Sequence, residues 1–284
     1  RFFKEYGYEG DFYPINPTRD TVQGMPAVPS IEDVDGPVDM AIMAVPEALA
    51  IEAAEACARK GVKSLVTLTS GFAEAGEQGA ANQQRLKGIA KDAGMRIVGP
   101  NCLGYFNPKN NIYATFSTSF THGMPKIGNV GMVSQSGAFG SHCFVLGREK
   151  GIGFSYWVTT GNEVDVDVAE CIAFMSQDPG TDVICAYIEG CKDGARLEEA
   201  LRLAYEARKP VLIQKVGRSD VGTAAAASHT ASLTGADQVY DAVFERYNAY
   251  RCLTVDELID ITHAASNGVL PQGRNVAVGS ISGG

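Results

Sequence analysis

The sequence lacks a hydrophobic run long enough to cross a membrane, because no apolar stretch approaches the ~18–20 residues that a spanning helix needs. The first residues carry no apolar stretch with a cleavage site, so no secretion signal is predicted. Positive charge is scarce: 24 Lys and Arg against 33 Asp and Glu give a net charge of −9, which disfavours a general nucleic-acid surface. We therefore expect a soluble, acidic protein with no nucleic-acid or membrane partner.

Cysteine and histidine are both sparse and isolated. The seven cysteines form an odd number without CxxC spacing. A disulfide framework or a zinc site is therefore disfavoured, and reduced thiols in a cytoplasmic protein are predicted. Among the four histidines, His142 and His263 fall within helical patterns and His122 lies in a polar loop, so we interpret these three as structural.

The sequence does contain a regular alternation of strand-like and helical segments. Its 284 residues suffice for two domains, each with its own core. Apolar strand patterns at 39–45 and 183–188 are followed by helical patterns at 48–60 and 197–207. This order predicts an α/β protein whose parallel sheets are covered by helices.

The polar segment 107–128 has no clear period, so we interpret it as a long connection and place a domain boundary near Lys126. Residues 1–126 and 127–270 then form two α/β domains, and residues 271–284 form the start of a further one. The first domain lacks the N-terminal strand and glycine loop of a nucleotide-binding fold. We therefore expect the parent protein to be longer at both ends.

The segment 133–137 (VSQSG) stands where a predicted buried strand ends and a helix begins. Free backbone N–H groups and the helix dipole favour an anion at such a point, and Ser134 and Ser136 add hydroxyl donors. Helix capping explains the serines as well, because serine is a preferred capping residue. The segment is a candidate phosphate site with a structural alternative.

His229 lies in the segment 227–231 (ASHTA), directly after a run of small residues at 222–227. Small residues leave room for a bulky group on a neighbouring side chain, and imidazole is a competent nucleophile toward phosphorus. The alternative interpretation is an ordinary loop histidine that is bonded to a backbone carbonyl. His229 is thus a candidate phosphate carrier.

Three further segments follow strand-like patterns, at the edge where open α/β sheets bind ligands. Glu189 in the segment IEG is suited to hold a histidine ring in one tautomer, and its alternative is an exposed turn glutamate. Cys102 in the turn GPNCLG lacks the partner pattern of a thiol enzyme, so a buried thiol is the default interpretation. Helix capping explains most carboxylates of the segment 162–167 (NEVDVD).

In combination, these segments resemble a known family. VSQSGAFG, TGNEVDVDVAE, YIEG and SHTASLTGADQVYDAVF occur in the order found in nucleoside-diphosphate-forming acyl-CoA synthetases, which are related to the α subunit of succinyl-CoA synthetase. YPINP, AVP, TSGFAEAG and RIVGPNCLG are similar to the CoA-binding domain of that family. The resemblance covers essentially the whole chain, and the SHT segment is its most specific part.

The resemblance implies a fold and a set of site residues. The fold would be a Rossmann-like CoA-binding domain followed by a flavodoxin-like, succinyl-CoA synthetase-like parallel α/β domain. His229 would be the phosphorylated histidine and Glu189 the carboxylate that steadies it. The phosphoryl cradle would consist of Ser134, Ser136 and Gly137. The segments similar to the CoA site contain Asn16, Pro17, Val45, Pro46, Ser70, Gly71, Phe72, Asn101 and Cys102, of which the last two would lie near the thiol end.

The implied activity is that of an acyl-CoA ligase, which joins a carboxylic acid to CoA while ATP is converted to ADP and phosphate. An acyl phosphate and a phosphohistidine are the implied intermediates, and Mg²⁺ would accompany the nucleotide. No ATP-grasp nucleotide domain is recognisable in the sequence. We expect that part in a fused domain or a separate subunit, within a homo- or hetero-oligomer, and we assign no metal ligand to this chain.

Two other functions fit parts of the pattern. The same architecture occurs in regulatory CoA- or nucleotide-binding modules attached to a protein acetyltransferase, but His229 retains the ability to carry phosphate. An NAD(P)-dependent dehydrogenase requires a GxGxxG turn and an acidic ribose-binding residue, and it leaves the SHT and SQSG segments unexplained. The ligase is therefore the preferred interpretation, and the acid that it uses is not readable from the sequence.

Overall fold

The computed structural model of the protein describes residues 1–217 and 237–268, with the isolated residues 273, 275, 277 and 279. The candidate phosphate carrier His229 lies outside the described residues, as does most of the predicted third domain at 271–284. Within the described ranges no helix is both long and apolar enough to span a bilayer.

A three-stranded parallel sheet forms the centre of the N-terminal part. A short helix α1 (Phe2–Glu5) and a small hairpin of β1 (Thr21–Val22) and β2 (Met25–Pro26) precede it. The sheet consists of β3 (Met40–Met43), β4 (Ser64–Thr67) and β5 (Arg96–Val98), and its crossover helices are α2 (Glu47–Lys60) and α3 (Glu77–Ala93). Helix α2 ends at Gly61 with φ +78°, the left-handed stop that glycine adopts at low cost.

The first turn of helix α3 packs against the loop after β4. A Cβ atom on Gly79 would lie 1.9 Å from the carbonyl oxygen of Phe72, so only glycine fits there. The side chain of Phe72 is fully buried in the core between the helices and the sheet. This close approach holds the loop against the start of the helix.

A seven-stranded sheet forms the centre of the second part, in the order β12-β11-β10-β8-β9-β6-β7. Its strands are β6 (Gly104–Asn107), β7 (Ile112–Thr115), β8 (Ile127–Ser134), β9 (Phe154–Thr159), β10 (Val183–Ile188), β11 (Val211–Lys215) and β12 (Tyr250–Arg251). Its helices are α4 (Gly137–Glu149), α5 (Val168–Gln177), α6 (Gly194–Glu206), α7 (Asp237–Arg246) and α8 (Val255–Asn267). Strands β8 to β12 pair in parallel, which confirms the predicted fold class.

Strands β6 and β7 form an antiparallel hairpin that extends this sheet beyond β9. The interpretation of residues 107–128 as a plain connection is therefore wrong, since β7 lies inside that segment. The segments 104–107 and 112–115 have neither the long apolar run of 39–45 nor a clear alternation, and they are stabilised by tertiary contacts such as the stacking of Phe106 on Trp157 at 5.5 Å. The domain boundary near Lys126 stays a prediction, and this strand pairing favours one nearer Leu103.

Aromatic side chains dominate the core on the α4 and α8 side of the second sheet. Trp157, Phe106, Phe120 and Phe144 are all essentially inaccessible to water. The indole Nε1 of Trp157 donates a hydrogen bond to the carbonyl oxygen of Gly140 at 2.9 Å. Because interiors pack to crystal-like density, this core holds the first turns of α4 in place over the sheet.

Candidate active site

Three polar segments lie together at the carboxyl edge of the second sheet. Strand β8 is flanked in parallel by β10 and β9, with Ser134 opposite both Tyr187 and Thr159. The segments that follow these strands therefore begin at the same level: 135–136, 160–163 and 189–190. This is the edge at which open parallel sheets bind their ligands.

The two serines of the candidate phosphate cradle make local contacts. The hydroxyl of Ser136 accepts a hydrogen bond from the backbone N–H of Phe139 at 3.2 Å and caps α4. The fully buried Ser134 donates its hydroxyl to the carbonyl oxygen of Ser136 at 2.6 Å. Gly137 begins the helix, where a Cβ atom would lie 2.7 Å from a side-chain carbon of Leu103. Ser136 is therefore a helix cap, as the alternative interpretation predicted. The feature that suits an anion is the set of backbone N–H groups at the start of α4.

Gln135 links all three segments through its side-chain amide. Its Oε1 accepts hydrogen bonds from the backbone N–H groups of Glu189 at 2.5 Å and Gly190 at 3.0 Å. Its Nε2 donates to the carbonyl oxygen of Gly190 at 2.8 Å and to a carboxylate oxygen of Glu163 at 2.9 Å. The backbone after β10 is therefore held by a side chain from the turn after β8.

Glu163 is a buried carboxylate in a backbone conformation that is unusual for its residue type. Its φ is +55°, and only 7% of its surface is exposed. Its Oε1 accepts from the hydroxyl of Thr160 and from the backbone N–H of Val168, both at 2.9 Å. Burial raises the pKa of Glu163 to about 7, although the donors from Gln135, Thr160 and Val168 and the charge of Lys192 act in the opposite direction.

The raised pKa of Glu163 predicts a pH dependence of stability. The unfolded chain releases this proton near the ordinary glutamate pKa of 4.5, whereas the folded protein keeps it until about pH 7. The stabilising contribution is therefore complete below pH 4.5 and is lost as the pH rises through 7, by about 3 kcal/mol. Urea unfolding at pH 5 and pH 8 measures it, and the free energy of unfolding of Glu163→Gln should lack this difference. Equal pH dependence in both proteins would contradict the assignment.

Glu189 is buried, with 6% of its surface exposed, so the alternative of an exposed turn glutamate is wrong. Burial raises the pKa of Tyr187, and the charge of Glu189 and a hydrogen bond to it act in the same direction. The nearby Lys215 is also buried, and burial lowers its pKa. Its ammonium donates to the carbonyl oxygen of Val216 and lies 4.6 Å from the ring centroid of Tyr240.

The candidate CoA residues fall mainly at the carboxyl edge of the first sheet. The segments after β3, β4 and β5 are tied together there: Thr69 donates its hydroxyl to the carbonyl oxygen of Val45 at 2.8 Å and accepts a backbone hydrogen bond from Asn101 at 2.9 Å. These segments contain Val45, Pro46, Ser70, Gly71, Phe72, Asn101 and Cys102. Asn16 and Pro17 lie in a separate loop, where Asn16 Oδ1 accepts from the backbone N–H groups of Thr18 and Arg19.

Two of these side chains are turned into the protein. Phe72 is fully buried, and Cys102 is 3% exposed with its thiol donating to the carbonyl oxygen of Thr67 at 3.4 Å. Any contact of these two residues with a ligand would therefore use their backbone. The default interpretation of Cys102 as a buried turn thiol is confirmed.

The burial of the cysteines predicts their reactivity. Burial raises the pKa of Cys102 to about 12, and of all seven cysteines only Cys191 is partly exposed. Because the thiolate is the reactive form, we expect iodoacetamide at pH 8 to modify Cys191 before any other cysteine of the folded protein. Peptide mapping by mass spectrometry after short exposure tests this. Early alkylation of Cys102 would show that its thiol is accessible and ionised.

A polar cluster joins the loops of the two sheets. Asn162 donates to the carboxylate of Glu74 and, at 3.0 Å, to Oε1 of Gln83. Glu74 in turn accepts the backbone N–H of Gly71 at 2.6 Å. Burial raises the pKa of Glu74, but these hydrogen bonds outweigh it and the net shift is downward. The candidate CoA loop at 70–76 is thus bonded to the segment 160–163 of the second sheet.

Sequence reasoning missed the linking residues Gln135, Glu163 and Asn162. Gln135 lies between the two candidate serines and carries no sequence signal of its own. Glu163 belongs to the group of carboxylates that helix capping explains. Asp167 does cap α5 through the N–H of Glu170 at 2.8 Å, so that interpretation is confirmed for one member of the group. Among the described residues, no cluster of three or more His, Cys, Asp or Glu side chains is suited to hold a metal ion.

Comparison with known families divides the chain into two matched regions. Residues 1–108 match the family described as a CoA binding domain. Residues 127–265 match the family described as a succinyl-CoA ligase like flavodoxin domain. The two regions correspond to the two parallel sheets, apart from the β6–β7 hairpin, and they confirm the fold expected from the resemblance.

Individual relatives extend over nearly the whole chain. It is 38% identical over 291 residues to the α subunit of ADP-forming acetate–CoA ligase II of Pyrococcus furiosus, covering 99% of this chain and 62% of that protein. It is 36% identical over 279 residues to the ADP-forming 4-hydroxybutyrate–CoA ligase of Nitrosopumilus maritimus, covering 98% of this chain and 40% of that protein.

A solved structure agrees with the fold over the same extent. The dinucleotide-forming acetyl-coenzyme A synthetase 1 of Candidatus Korarchaeum cryptofilum, in complex with phosphate and ADP, matches with a TM-score of 0.90 and 35% identity. The match covers 96% of this chain and 58% of that one, so the chain spans only part of the length of its relatives. With its two family regions and this fold, the chain belongs to the nucleoside-diphosphate-forming acyl-CoA synthetases, relatives of the succinyl-CoA synthetase α subunit.

Proposed function

We propose that the chain supplies the CoA-binding and phosphoryl-carrying part of a ligase that joins a carboxylic acid to CoA while ATP is converted to ADP and phosphate. The observation that carries this proposal is the convergence of the SQSG turn and Glu189 at one sheet edge, tied together by Gln135. An anion-binding helix terminus beside a buried carboxylate suits a histidine that alternates between neutral and phosphorylated forms.

The chemistry has to activate a carboxylate, which by itself is a poor acylating agent. A nitrogen of His229 first attacks the γ-phosphorus of ATP, and ADP leaves. A carboxylate oxygen of the acid then attacks this phosphorus, the P–N bond breaks, and an acyl phosphate forms. The CoA sulfur, whose proton is released to water, attacks the acyl carbon to give a tetrahedral oxyanion, and the collapse of this oxyanion expels phosphate.

Each proposed site residue has a distinct role in these reaction steps. Helix α4 begins at Gly137, directly after the turn that contains Ser134 and Ser136. The backbone N–H groups of its first turn would offset the negative charge of the phosphoryl group, with a typical contribution of ~0.3–2 kcal/mol. Glu189 would hold the ring of His229 in one tautomer by accepting its N–H. Mg²⁺ would neutralise part of the phosphate charge when it is bound with the nucleotide.

The first sheet fits a phosphate-bearing ligand such as CoA at its carboxyl edge. Pro46, Ser70 and Asn101 are exposed there, and Pro46 immediately precedes the first turn of α2 with its free N–H groups. We assign to the CoA site Asn16, Pro17, Val45, Pro46, Ser70, Gly71, Phe72, Asn101 and Cys102. Backbone contacts would dominate, as the burial of Phe72 and Cys102 requires.

The nucleotide-binding part is proposed to lie elsewhere, in an ATP-grasp domain or subunit. The relative from Pyrococcus furiosus is named as an α subunit, and the solved relative held phosphate and ADP, which supports a partner that binds the nucleotide. The same reasoning favours a homo- or hetero-oligomer, and its location in the cytoplasm is proposed from the pattern of unpaired cysteines. Small aliphatic acids such as acetate and 4-hydroxybutyrate are the first substrates to test, since relatives are named for them.

Phosphorylation of the complete protein, with its ATP-grasp part present, tests the proposal. Incubation with Mg²⁺ and γ-labelled ATP should give an acid-labile, alkali-stable label, and a chase with CoA and the acid should release it as phosphate with formation of acyl-CoA. EDTA serves as the control. A folded protein that binds CoA and nucleotide yet never acquires label would instead favour the regulatory module attached to an acetyltransferase.

A further inference from the structure

The side-chain amide of Gln135 has each of its hydrogen-bonding positions filled. Two backbone N–H groups donate to Oε1, from Glu189 and Gly190, and Nε2 donates to two acceptors, the carbonyl oxygen of Gly190 and the carboxylate of Glu163. A reversed amide would point its NH₂ group at two other donors. The orientation of this amide is therefore determined by its surroundings.

Glu163 is held in a similarly defined way. Its Oε1 accepts from Thr160 and Val168, which leaves Oε2 as the acceptor for Gln135. Lys192 donates its ammonium to the backbone carbonyl oxygens of Asn162 and Glu163 and so braces the turn itself. A glutamate at φ +55° occupies a region where glycine is less strained, so the carboxylate is supplied at a conformational cost.

We propose that Glu163 and Gln135 act in series as positioning residues, which orient the backbone of Glu189 and Gly190 and thereby aim the Glu189 carboxylate at the phosphate-carrying histidine. This inference rests on the proposed function, because it gives Glu189 the role assigned there. Neither positioning residue touches the reacting atoms: both act through the backbone that carries Glu189. The effect belongs to phosphoryl transfer and not to the binding of CoA.

The substitution Glu163→Gln changes the hydrogen-bonding pattern at this position without changing the size of the side chain. With Oε1 kept toward Thr160 and Val168, the new amide NH₂ group faces Nε2 of Gln135, so two donors meet. If Gln135 reverses to accept from it, its own NH₂ group meets the N–H groups of Glu189 and Gly190. Either outcome disturbs the backbone at Glu189 while the volume of the side chain is unchanged.

The reciprocal substitution restores the pattern of donors and acceptors. In Glu163→Gln with Gln135→Glu, the new carboxylate at 135 accepts from the backbone N–H groups with one oxygen and from the amide at 163 with the other. The donor to the carbonyl oxygen of Gly190 is lost, and a carboxylate oxygen then faces that carbonyl oxygen, so we expect the recovery to be partial. The double variant should therefore transfer phosphate faster than Glu163→Gln alone, which a general loss of packing would not allow.

The experiment measures the initial rate of labelling by γ-labelled ATP and the dissociation constant of CoA in the complete protein, at pH 8, where Glu163 is ionised. Glu170→Gln is the matched control, because Glu170 lies on α5 in ion pairs with Arg96 and Arg196. We expect Glu163→Gln to label roughly 10–100-fold more slowly, which is the loss typical when a residue that orients a functional side chain is replaced. The dissociation constant of CoA should stay within about twofold, the control should label normally, and the double variant should recover several-fold.

Each outcome bears on one proposal only. Absence of label in the unmodified protein would overturn the proposed function, whereas normal labelling of Glu163→Gln would overturn the positioning role alone. Equal losses in labelling rate and CoA binding would assign Glu163 a structural role and also overturn it. Should Glu163→Gln fail to fold, Gln135→Glu is compared with the double variant: faster labelling by the double variant supports the proposal, and equal or slower labelling contradicts it.

Discussion

Replacement of His229 by alanine is expected to abolish phosphorylation of the complete protein by ATP, with a loss on the order of 10³-fold or more in the rate of labelling. Alanine offers no nucleophilic nitrogen, so no P–N bond can form even if the fold and both ligand sites are intact. The measurement is the acid-labile label that remains on the protein after rapid mixing with γ-labelled ATP and Mg²⁺.

Two other histidines provide matched controls for this substitution. His142 and His263 lie in α4 and α8, as their helical patterns predicted, and each alanine variant should label at the normal rate. Label that persists in His229→Ala would show that another residue carries the phosphate. Loss of label in all three variants would indicate damage to the fold instead of loss of a phosphate carrier.

Replacement of Gly79 by alanine is expected to destabilise the protein by about 2 kcal/mol and to weaken its binding of CoA. The added Cβ atom would lie 1.9 Å from the carbonyl oxygen of Phe72, so α3 or the loop at 70–76 must move. The same loop is bonded to Asn162 through Glu74, and its displacement would disturb the proposed CoA site. Urea unfolding and calorimetric titration with CoA measure the two effects.

Gly88 in the same helix provides the control for Gly79. Nothing lies within 4 Å of a Cβ atom built on Gly88, so alanine there should stabilise the protein by about 0.5–1 kcal/mol through its higher helix propensity. CoA binding should be unchanged in that variant. If both alanine variants gained stability, the close approach of α3 to Phe72 would be contradicted.

The long periodic elements could be predicted from the sequence because their signals are local. Strand β10 has the predicted bounds, and α2 begins one residue before the predicted pattern at 48–60 and ends at the same residue. The hairpin of β6 and β7 could not be predicted, because its strands lack the long apolar run that marks β3, and β6 is stabilised by β9, which is distant in sequence. Short segments of this kind take their conformation from the sheet that they join.

The residues of the candidate site also divide into those that could be predicted from the sequence and those that could not. Ser134, Ser136 and Glu189 could be predicted, since each follows a strand and belongs to a motif that resembles those of a family. The connection from Glu163 through Gln135 to the backbone at Glu189 could not be predicted. Its members are 28 and 54 residues apart along the chain, and an isolated Gln or Glu carries no periodic signal.

The alternation of strands and helices, the family and the order of the polar motifs are all specified by the sequence, because they depend on neighbours along the chain. Which motifs meet, which carboxylates are buried and which thiols are shielded are properties of the tertiary structure. They depend on the parallel order of β9, β8 and β10, which brings the ends of three strands to one edge. Burial in the folded protein is what raises the pKa values of Glu163 and of the Cys102 thiol.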